Sequence, residues 1–232
     1  MPLTRITSLW RDWRAFASLL VVMFVFRSAV ADWNQIPSGS MRPNLLEGDR
    51  IVVDKLAYDL RVPFTLLRIH AWANPHRGDI VTFKSPEDDR LLVKRVLGVP
   101  GDTVELRNNR LIVNNDNATY EALSASETSR LPLVNRDRYE FLRERVAGTS
   151  HIMMLCPDQE DRNPNYATFG PVTVPPGKYL MLGDNRDDSA DFRRIGLVDR
   201  TLVLGRANAI AFSIDYDNYW LLRANRFLLA LP

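Results

Sequence analysis

A serine, a lysine and a polar loop are the features of this chain that can carry out chemistry. Ser40 lies in the stretch Ile36-Pro37-Ser38-Gly39-Ser40-Met41-Arg42-Pro43, and Lys94 lies in the largely apolar run Leu91–Val96. The third stretch, Gly183–Asp191, is rich in Asp and also contains Asn and Ser. Serine nucleophiles in acyl transfer are activated by an adjacent general base, which is lysine in some enzymes. The three stretches therefore predict a serine hydrolase whose general base is lysine.

The backbone around the two serines is restricted. Pro37 fixes one backbone dihedral, Gly39 permits a sharp turn, and Pro43 disfavours a helix just before it. Because Ser38 and Ser40 are two residues apart, an extended backbone would direct both side chains to one side. One hydroxyl can then attack a carbonyl while the other, with a backbone N–H, stabilises the developing oxyanion. A plain Ser-Gly-Ser turn is the alternative interpretation.

Lys94 is the best placed of only four lysines, which are Lys55, Lys84, Lys94 and Lys178. In a strand over residues 91–97, Leu92, Lys94 and Val96 share one face. Burial among apolar neighbours disfavours an ammonium group and lowers its pKa. A general base that works near neutral pH requires such a shift. The alternative is a charge on an edge strand that prevents aggregation.

The polar loop is predicted to connect two strands, because apolar stretches lie on both sides of residues 183–194. Within it, Ser189 is expected to hydrogen-bond the Lys94 amine and orient its lone pair toward Ser40. Asp191 and Arg193, two residues apart, are expected to form a supporting ion pair. A solvated turn or a calcium loop is the alternative, although no Glu closes the twelve-residue calcium pattern.

Composition limits the class of protein. The chain has 232 residues, 46% of them hydrophobic, which fits one domain or one domain with an insertion. Its net charge of +2 is too small to indicate a nucleic-acid partner. The single cysteine, Cys156, allows no intrachain disulfide. No CxxC or HExxH pattern occurs, so we expect no metal site.

An apolar segment near the amino terminus predicts one transmembrane helix. Ala15–Phe26 is apolar except for Ser18, and Trp13 and Trp33 are expected at the two membrane interfaces. The preceding arginines place the amino terminus in the cytoplasm and the remainder outside; they are Arg5, Arg11 and Arg14. A cleaved signal peptide ending at Ala29-Val30-Ala31 and an amphipathic helix in the interface are alternatives.

Most of the remaining chain predicts short β-strands separated by Gly, Pro, Asn and Asp. Asn108-Asn109 predicts a hairpin turn, and Arg136–Val146 is the clearest candidate for a soluble helix. Residues 107–178 contain no chemical motif and are predicted to form an inserted subdomain. The expected strands are Arg50–Val53, Ile80–Phe83, Val104–Leu106, Arg110–Val113 and Ala207–Ile214.

The three stretches, in this order and behind an apolar anchor, closely resemble bacterial signal peptidase I. The resemblance extends from about Arg27 to Ile214. It implies a mainly β fold, with a single amino-terminal transmembrane helix followed by an antiparallel β catalytic domain that carries an inserted β-rich or mixed subdomain. Residues 1–33 would be the cytoplasmic terminus and anchor in the cytoplasmic (inner) membrane. Residues 34–232 would be the peptidase domain on the extracytoplasmic side.

The resemblance also implies roles for the reactive residues. Ser40 matches the nucleophile of the family and Lys94 matches its general base. Ser38 matches the side-chain donor of the oxyanion hole, beside the backbone N–H of Ser40. The implied reaction is the release of exported preproteins by cleavage after small-x-small sequences such as Ala-x-Ala.

Other residues match supporting positions. Ser189 matches the serine that hydrogen-bonds the lysine, and Asp191 with Arg193 matches the supporting pair in the loop. Three residues are expected to help line the small pocket that selects alanine: Ile36, Pro37 and Met41.

The expected partners are exported preproteins and membrane lipid, with no nucleic acid, metal or organic cofactor. Two other functions stay open. One is a specialised maturation peptidase of the conjugal-transfer type, and the other is a non-catalytic, membrane-anchored binding module. The sequence leaves the oligomeric state open.

Overall fold

The computed structural model describes residues 13–14, 16–23, 31–133, 136–156, 164–216 and 218–231. Its strands, numbered along the chain, are β1 (Ala31–Gln35), β2 (Asp49–Asp54), β3 (Asp59–Arg61), β4 (Arg68–Ala71), β5 (Ile80–Lys84), β6 (Leu91–Gly98), β7 (Thr103–Arg107), β8 (Arg110–Val113), β9 (Asp116–Asn117), β10 (Thr119–Ala122), β11 (Glu140–Val146), β12 (Thr149–Leu155), β13 (Phe169–Thr173), β14 (Lys178–Leu182), β15 (Val198–Asp199), β16 (Val203–Asp215), β17 (Leu221–Leu222) and β18 (Leu229–Ala230). Three short helices are α1 (Ala125–Arg130), α2 (Pro164–Ala167) and α3 (Phe192–Ile195).

The strands form one large antiparallel sheet and several small ones. The large sheet has the order β1-β2-β16-β5-β6-β14-β15, with β17 and β18 also pairing with β16. Two smaller sheets, β13-β7-β8-β9 and β10-β11-β12, are formed mainly by the chain between β6 and β14, which are neighbours in the large sheet. The mainly antiparallel β fold is thus confirmed, while the boundaries 34–232 and 107–178 stay predictions.

Strand β6 lies inside the large sheet rather than at its edge. It pairs with β5, where Val81 is opposite Lys94, and with β14, where Leu182 is opposite Arg95. Val96, on the same face as Lys94, packs in a buried cluster that also contains Val81. The edge-strand interpretation of Lys94 is therefore wrong, and the apolar surroundings expected for this lysine are confirmed.

One expected helix is a strand. Residues 136–138 form a 3-10 turn, and Glu140–Val146 forms β11, which pairs with β12 over seven residues. Between these strands, Ala147 and Gly148 have φ values of 44° and 83°, which suits a tight two-residue hairpin turn. The cross-strand ladder and burial of Phe141 outweigh the local preference for helix.

The predicted hairpin turn at Asn108-Asn109 is confirmed. It joins β7 to β8, with Arg107 opposite Arg110. Both asparagines have positive φ values, 49° and 60°. Asparagine accepts this left-handed conformation more readily than most residues.

The amino-terminal segment is described only in part. Residues 13–14 and 16–23 are helical, and among the described residues no helix combines the length and apolar character needed to cross a bilayer. Trp33, expected at one membrane interface, lies in β1 opposite Val52. Backbone pairing with β2 therefore rules out a helix that extends to Trp33, while its position at the interface stays a prediction. Residues 1–12, 15 and 24–30 lie outside the described residues. They include Arg5 and Arg11 of the topology prediction, both ends of the predicted apolar run, and Ala29-Val30 of the alternative cleavage site.

Candidate active site

The reactive serine lies in a short 3-10 turn, Gly39–Met41, between β1 and β2. Ser38 is extended, with φ −140° and ψ 158°, and Arg42 N donates to Gly39 O at 3.0 Å to close the turn. Ser38 Oγ donates to Ser40 Oγ at 3.5 Å. A turn, rather than the extended backbone expected from the sequence, thus brings the two hydroxyls to the same side.

The residues expected to select alanine differ in their surroundings. Ile36 and Met41 are buried and belong to a core cluster that includes Ile51 and Val53, whereas Pro37 is exposed. The buried pair anchors both ends of the serine turn in the large sheet. Ser40 between them stays partly accessible.

The Lys94 amine contacts the Ser40 hydroxyl directly. Lys94 Nζ donates to Ser40 Oγ at 2.6 Å and to Val93 O at 3.0 Å, and the lysine is only 2% exposed. Burial lowers the pKa of Lys94 to about 8, although the carboxylates of Asp191 and Asp184 oppose that shift. A substantial neutral fraction of the amine therefore exists at mildly alkaline pH, within reach of the serine proton.

The polar loop holds the serine turn through its backbone. Asn185 N donates to Ser40 O at 3.1 Å, and Asn185 Nδ2 donates to Gly39 O at 3.2 Å. A methyl group on Gly183 would lie 2.5 Å from Ser40 O and 2.2 Å from Ser189 Oγ. The close approach thus requires glycine at position 183. The sequence analysis assigned no individual role to Gly183 or Asn185. The sequence Gly-Asp-Asn directly after an apolar strand was the signal that could have indicated one.

Gly183→Ala is expected to lower kcat about 10- to 100-fold, because the new methyl group must displace the backbone that carries Ser40. Steady-state kinetics on a peptide substrate measures the change. Gly170→Ala is the matched control, since no heavy atom outside its immediate neighbours lies within 4 Å of its added carbon and its φ is not positive. Equal kcat values for the two variants would show that the approach of Gly183 to Ser40 is not needed.

Of the two contacts expected among the supporting residues, the structure contains one. Asp191 and Arg193 form the expected ion pair at 2.7 Å, and Asp191 also accepts from Gly183 N at 2.9 Å. Ser189 lies beside Gly183, but its buried Oγ has no hydrogen-bond partner among the described residues. The expected Ser189–Lys94 hydrogen bond is therefore absent from this structure.

A buried ion pair that sequence reasoning missed links β6 to the loop. Arg95, next to Lys94, donates to both carboxylate oxygens of Asp184 at 2.8 and 2.9 Å and to Gly78 O at 2.8 Å. Asn44, just after the serine turn, also donates to Asp184 at 2.7 Å. Burial raises the pKa of Asp184, but the Arg95 charge and these hydrogen bonds outweigh it and hold that pKa low. The available signal was a charged residue on the core-facing side of an apolar strand.

A second buried ionic cluster ties β11 and β12 to the same loop. Glu144 accepts from Arg186 and, at 2.5 Å, from Tyr120, and His151 Nε2 lies 3.2 Å from Glu144. Burial raises the pKa of Glu144, but the charge of Arg186 and the contact with His151 outweigh it and hold the pKa below its usual range. The Glu144 carboxylate thus balances a fully buried arginine of the loop.

Glu144→Gln is expected to lower the free energy of unfolding by about 3–5 kcal/mol, because it leaves the buried Arg186 charge without its carboxylate. Urea unfolding at neutral pH measures this difference. Glu121→Gln, which breaks the exposed pair with Arg145 in the same small sheet, is expected to change it by at most about 1 kcal/mol. A similar loss of unfolding free energy in both variants would mean that the buried charge of Arg186 does not need the Glu144 carboxylate.

Comparisons with known proteins agree on one family. The family described as "Signal peptidase, peptidase S26" matches residues 9–212. The signal peptidase I of Pseudomonas aeruginosa is 31% identical over 211 residues, covering 86% of this chain and 71% of the relative. The signal peptidase I P of Bacillus subtilis subsp. natto is 29% identical over 207 residues, covering 88% and 90%.

A solved structure is also similar. The crystal structure of a signal peptidase I from Enterococcus faecalis V583 has 27% sequence identity and a TM-score of 0.34, and the match covers 59% of this chain and 98% of that one. The family match spans most of the chain, including Ser40, Lys94 and Ser189. The chain therefore belongs to the peptidase S26 family of signal peptidases and is a serine endopeptidase.

Proposed function

We propose that this protein removes signal peptides from exported preproteins by cutting after small-x-small sequences such as Ala-x-Ala, with Ser40 as nucleophile and Lys94 as general base. The observation that carries the proposal is the 2.6 Å contact between the buried Lys94 Nζ and Ser40 Oγ. A lysine whose pKa is lowered by burial is suited to accept the proton of a serine hydroxyl.

The first chemical step is acylation of Ser40. Neutral Lys94 accepts the hydroxyl proton while Ser40 Oγ bonds to the scissile carbonyl carbon. The carbonyl oxygen becomes an oxyanion, which accepts from the Ser38 hydroxyl and the Ser40 backbone N–H. The Asn185 hydrogen bonds to Gly39 O and Ser40 O support this geometry, because they fix the peptide group that contains the Ser40 N–H and the peptide group that follows it.

The second step releases the mature protein and then restores the enzyme. Protonated Lys94 donates its proton to the leaving amine as the peptide bond breaks, which leaves the signal peptide esterified to Ser40. Lys94, neutral again, takes a proton from water, whose oxygen attacks the ester carbonyl. The bond between that carbon and Ser40 Oγ then breaks, Lys94 returns the proton to Ser40 Oγ, and the signal peptide leaves with a free carboxylate. The Val93 carbonyl helps orient the amine, and the Asp191–Arg193 pair keeps the loop in place beside it. Ser189 would support the amine only after its hydroxyl turns toward Lys94. No metal or organic cofactor enters this scheme.

The proposal includes a membrane location. Residues 1–33 would contain the cytoplasmic terminus and a single-pass anchor in the inner membrane, and residues 34–232 the extracytoplasmic peptidase domain with its insertion at about 107–178. The apolar run Ala15–Phe26 and the arginines before it support this topology. Ile36, Pro37 and Met41 would lie next to the bound small side chain, because they flank Ser40 in the chain.

Cleavage of a secretory precursor by the detergent-solubilised full chain tests the proposal. Mass spectrometry should show a cut after the second alanine of Ala-x-Ala, unchanged by a metal chelator and absent with Ser40→Ala. No cut by folded wild type on several precursors would instead favour the specialised peptidase. A precursor that is bound equally by Ser40→Ala and never cut would favour the binding module.

A further inference from the structure

The outer edge of strand β12 is completed by the active site. Among the described strands, β12 pairs only with β11. An edge strand leaves a row of backbone N–H and C=O groups that need other partners. Three of these groups, Ile152 O, Met154 N and Met154 O, are bound by the polar loop and by the chain that follows Ser40. We call these three groups the β12 edge.

The polar loop binds two groups of the β12 edge. Met154 N donates to Asp184 O at 2.9 Å, and Arg186 N donates to Met154 O at 3.1 Å. These two bonds form a short parallel bridge between Met154 and Asn185. Asn185, which holds the serine turn through two backbone carbonyls, therefore has both of its neighbours fixed to β12.

The side chain of Asn44 binds the third group of the β12 edge. Asn44 Nδ2 donates to Ile152 O at 2.6 Å and to Asp184 Oδ2 at 2.7 Å. An amide nitrogen carries two protons, so Asn44 uses one of them for the β12 edge and the other for the polar loop. A carboxylate has no proton to donate and a hydroxyl has only one, so neither could make both bonds.

The backbone of Asn44 is fixed close to Ser40. Leu45 N donates to Met41 O at 2.9 Å, which closes a turn directly after the nucleophile, and Arg226 Nη2 donates to Asn44 O at 2.9 Å. The bonds made by the Asn44 amide therefore restrain the whole segment that carries Ser40.

Asp184 extends this link to the strand of the general base. Arg95, the residue after Lys94 in β6, donates to both oxygens of Asp184 at 2.8 and 2.9 Å. Asp184 is only 1% exposed, so these bonds form where water does not compete with them. The contacts thus run from the segment of Ser40 through Asn44 and Asp184 to the strand of Lys94.

We propose that Asn44 is a positioning residue for peptide-bond cleavage, which keeps Ser40 within reach of Lys94 by binding the polar loop and the β12 edge together. The inference rests on the proposed Ser40–Lys94 mechanism, and it gives the β10-β11-β12 sheet a role in the active site. A displacement of about 1 Å between reacting groups can lower a rate about 100-fold, and loss of the Asn44 amide should act on that scale.

The rate at which an activated Ala-x-Ala ester acylates Ser40 tests this inference in the full chain. Asn44→Leu, which is close to asparagine in size but has no donor, should lower the maximal rate about 10- to 100-fold. The ester concentration that gives half the maximal rate should stay within about threefold of wild type, because Asn44 acts on the chemical step. The pH midpoint should stay at about 8, because the substitution changes no charge.

Asn44→Asp is the second variant, and Asn114→Asp is its matched control. Asn114 Nδ2 donates to the buried Asp102 carboxylate at 2.9 Å in the turn after β8, so both variants set a new carboxylate against a buried one. Both should lower the melting temperature by about 3 °C or more. Asn44→Asp should lose at least about tenfold in acylation rate, whereas Asn114→Asp should stay within about twofold of wild type.

Two results would overturn the positioning role alone. One is an acylation rate for the Asn44 variants within about twofold of wild type, and the other is an equal loss of rate in Asn114→Asp, because either result leaves Asn44 a purely structural role. One Asn44 variant suffices for this decision if the other does not fold. No acylation of Ser40 by folded wild type would instead reject the proposed function, and the inference with it.

Discussion

Lys94→Met is expected to lower kcat/KM for precursor cleavage by about 10³- to 10⁴-fold while the protein stays folded, because methionine cannot accept the proton of Ser40. Steady-state cleavage kinetics and far-ultraviolet circular dichroism measure activity and fold together. Lys178→Met is the matched control, since Lys178 has a half-exposed side chain and only a 3.5 Å contact with Asp199. A loss below about tenfold for Lys94→Met would show that another group removes the Ser40 proton.

The same variant is expected to be more stable than wild type at pH 7, by about 3 kcal/mol, because folding no longer buries an ammonium group. The pKa of Lys94 is about 8 in the folded protein against an ordinary 10.5. Below pH 8 both folded and unfolded wild type bind the proton, so the full destabilisation is present. Between the two pKa values the unfolded chain binds more protons, and the stability of wild type therefore rises with pH.

Urea unfolding at several pH values measures this second effect. The stability difference between Lys94→Met and wild type should shrink as the pH rises from 8 toward 10.5 and then vanish. The Lys178→Met variant should show no such trend. A stability difference that is independent of pH, or a Lys94→Met protein that is less stable at pH 7, would mean that the buried amine does not destabilise the fold.

The reactive residues could be anticipated because their local sequence dictates their surroundings. Alternation of apolar residues placed Lys94 on a buried face, and the prolines and glycine around Ser40 indicated a restricted turn. The contact between the two side chains depends on tertiary structure, because 54 residues separate them and the 3-10 turn that carries Ser40 meets β6 only in the folded protein. The Asn108-Asn109 turn was equally local, since asparagine favours the backbone conformation found there.

The residues that escaped prediction act through long-range contacts. Asn185 holds the serine turn by bonding two backbone carbonyls, and no periodicity in its own segment indicates such partners. Arg95 faces away from Lys94, and its buried pairing with Asp184 depends on the register between β6 and β14. Residues 140–146 became a strand because a tight turn pairs them with β12. Such long-range pairing cannot be read from a single segment.

The rate at which Ser40 is acylated, followed as a function of pH, tests the central claim most directly. An activated ester of an Ala-x-Ala peptide is mixed with the protein, the reaction is stopped with acid, and the modified residue is identified by mass spectrometry. The Ser40–Lys94 account predicts an acyl group on Ser40 whose rate of formation rises with pH through about 8 and then levels off, and which is lost in Lys94→Met. An acyl group on another residue, or the same rate and pH profile in Lys94→Met, would contradict it.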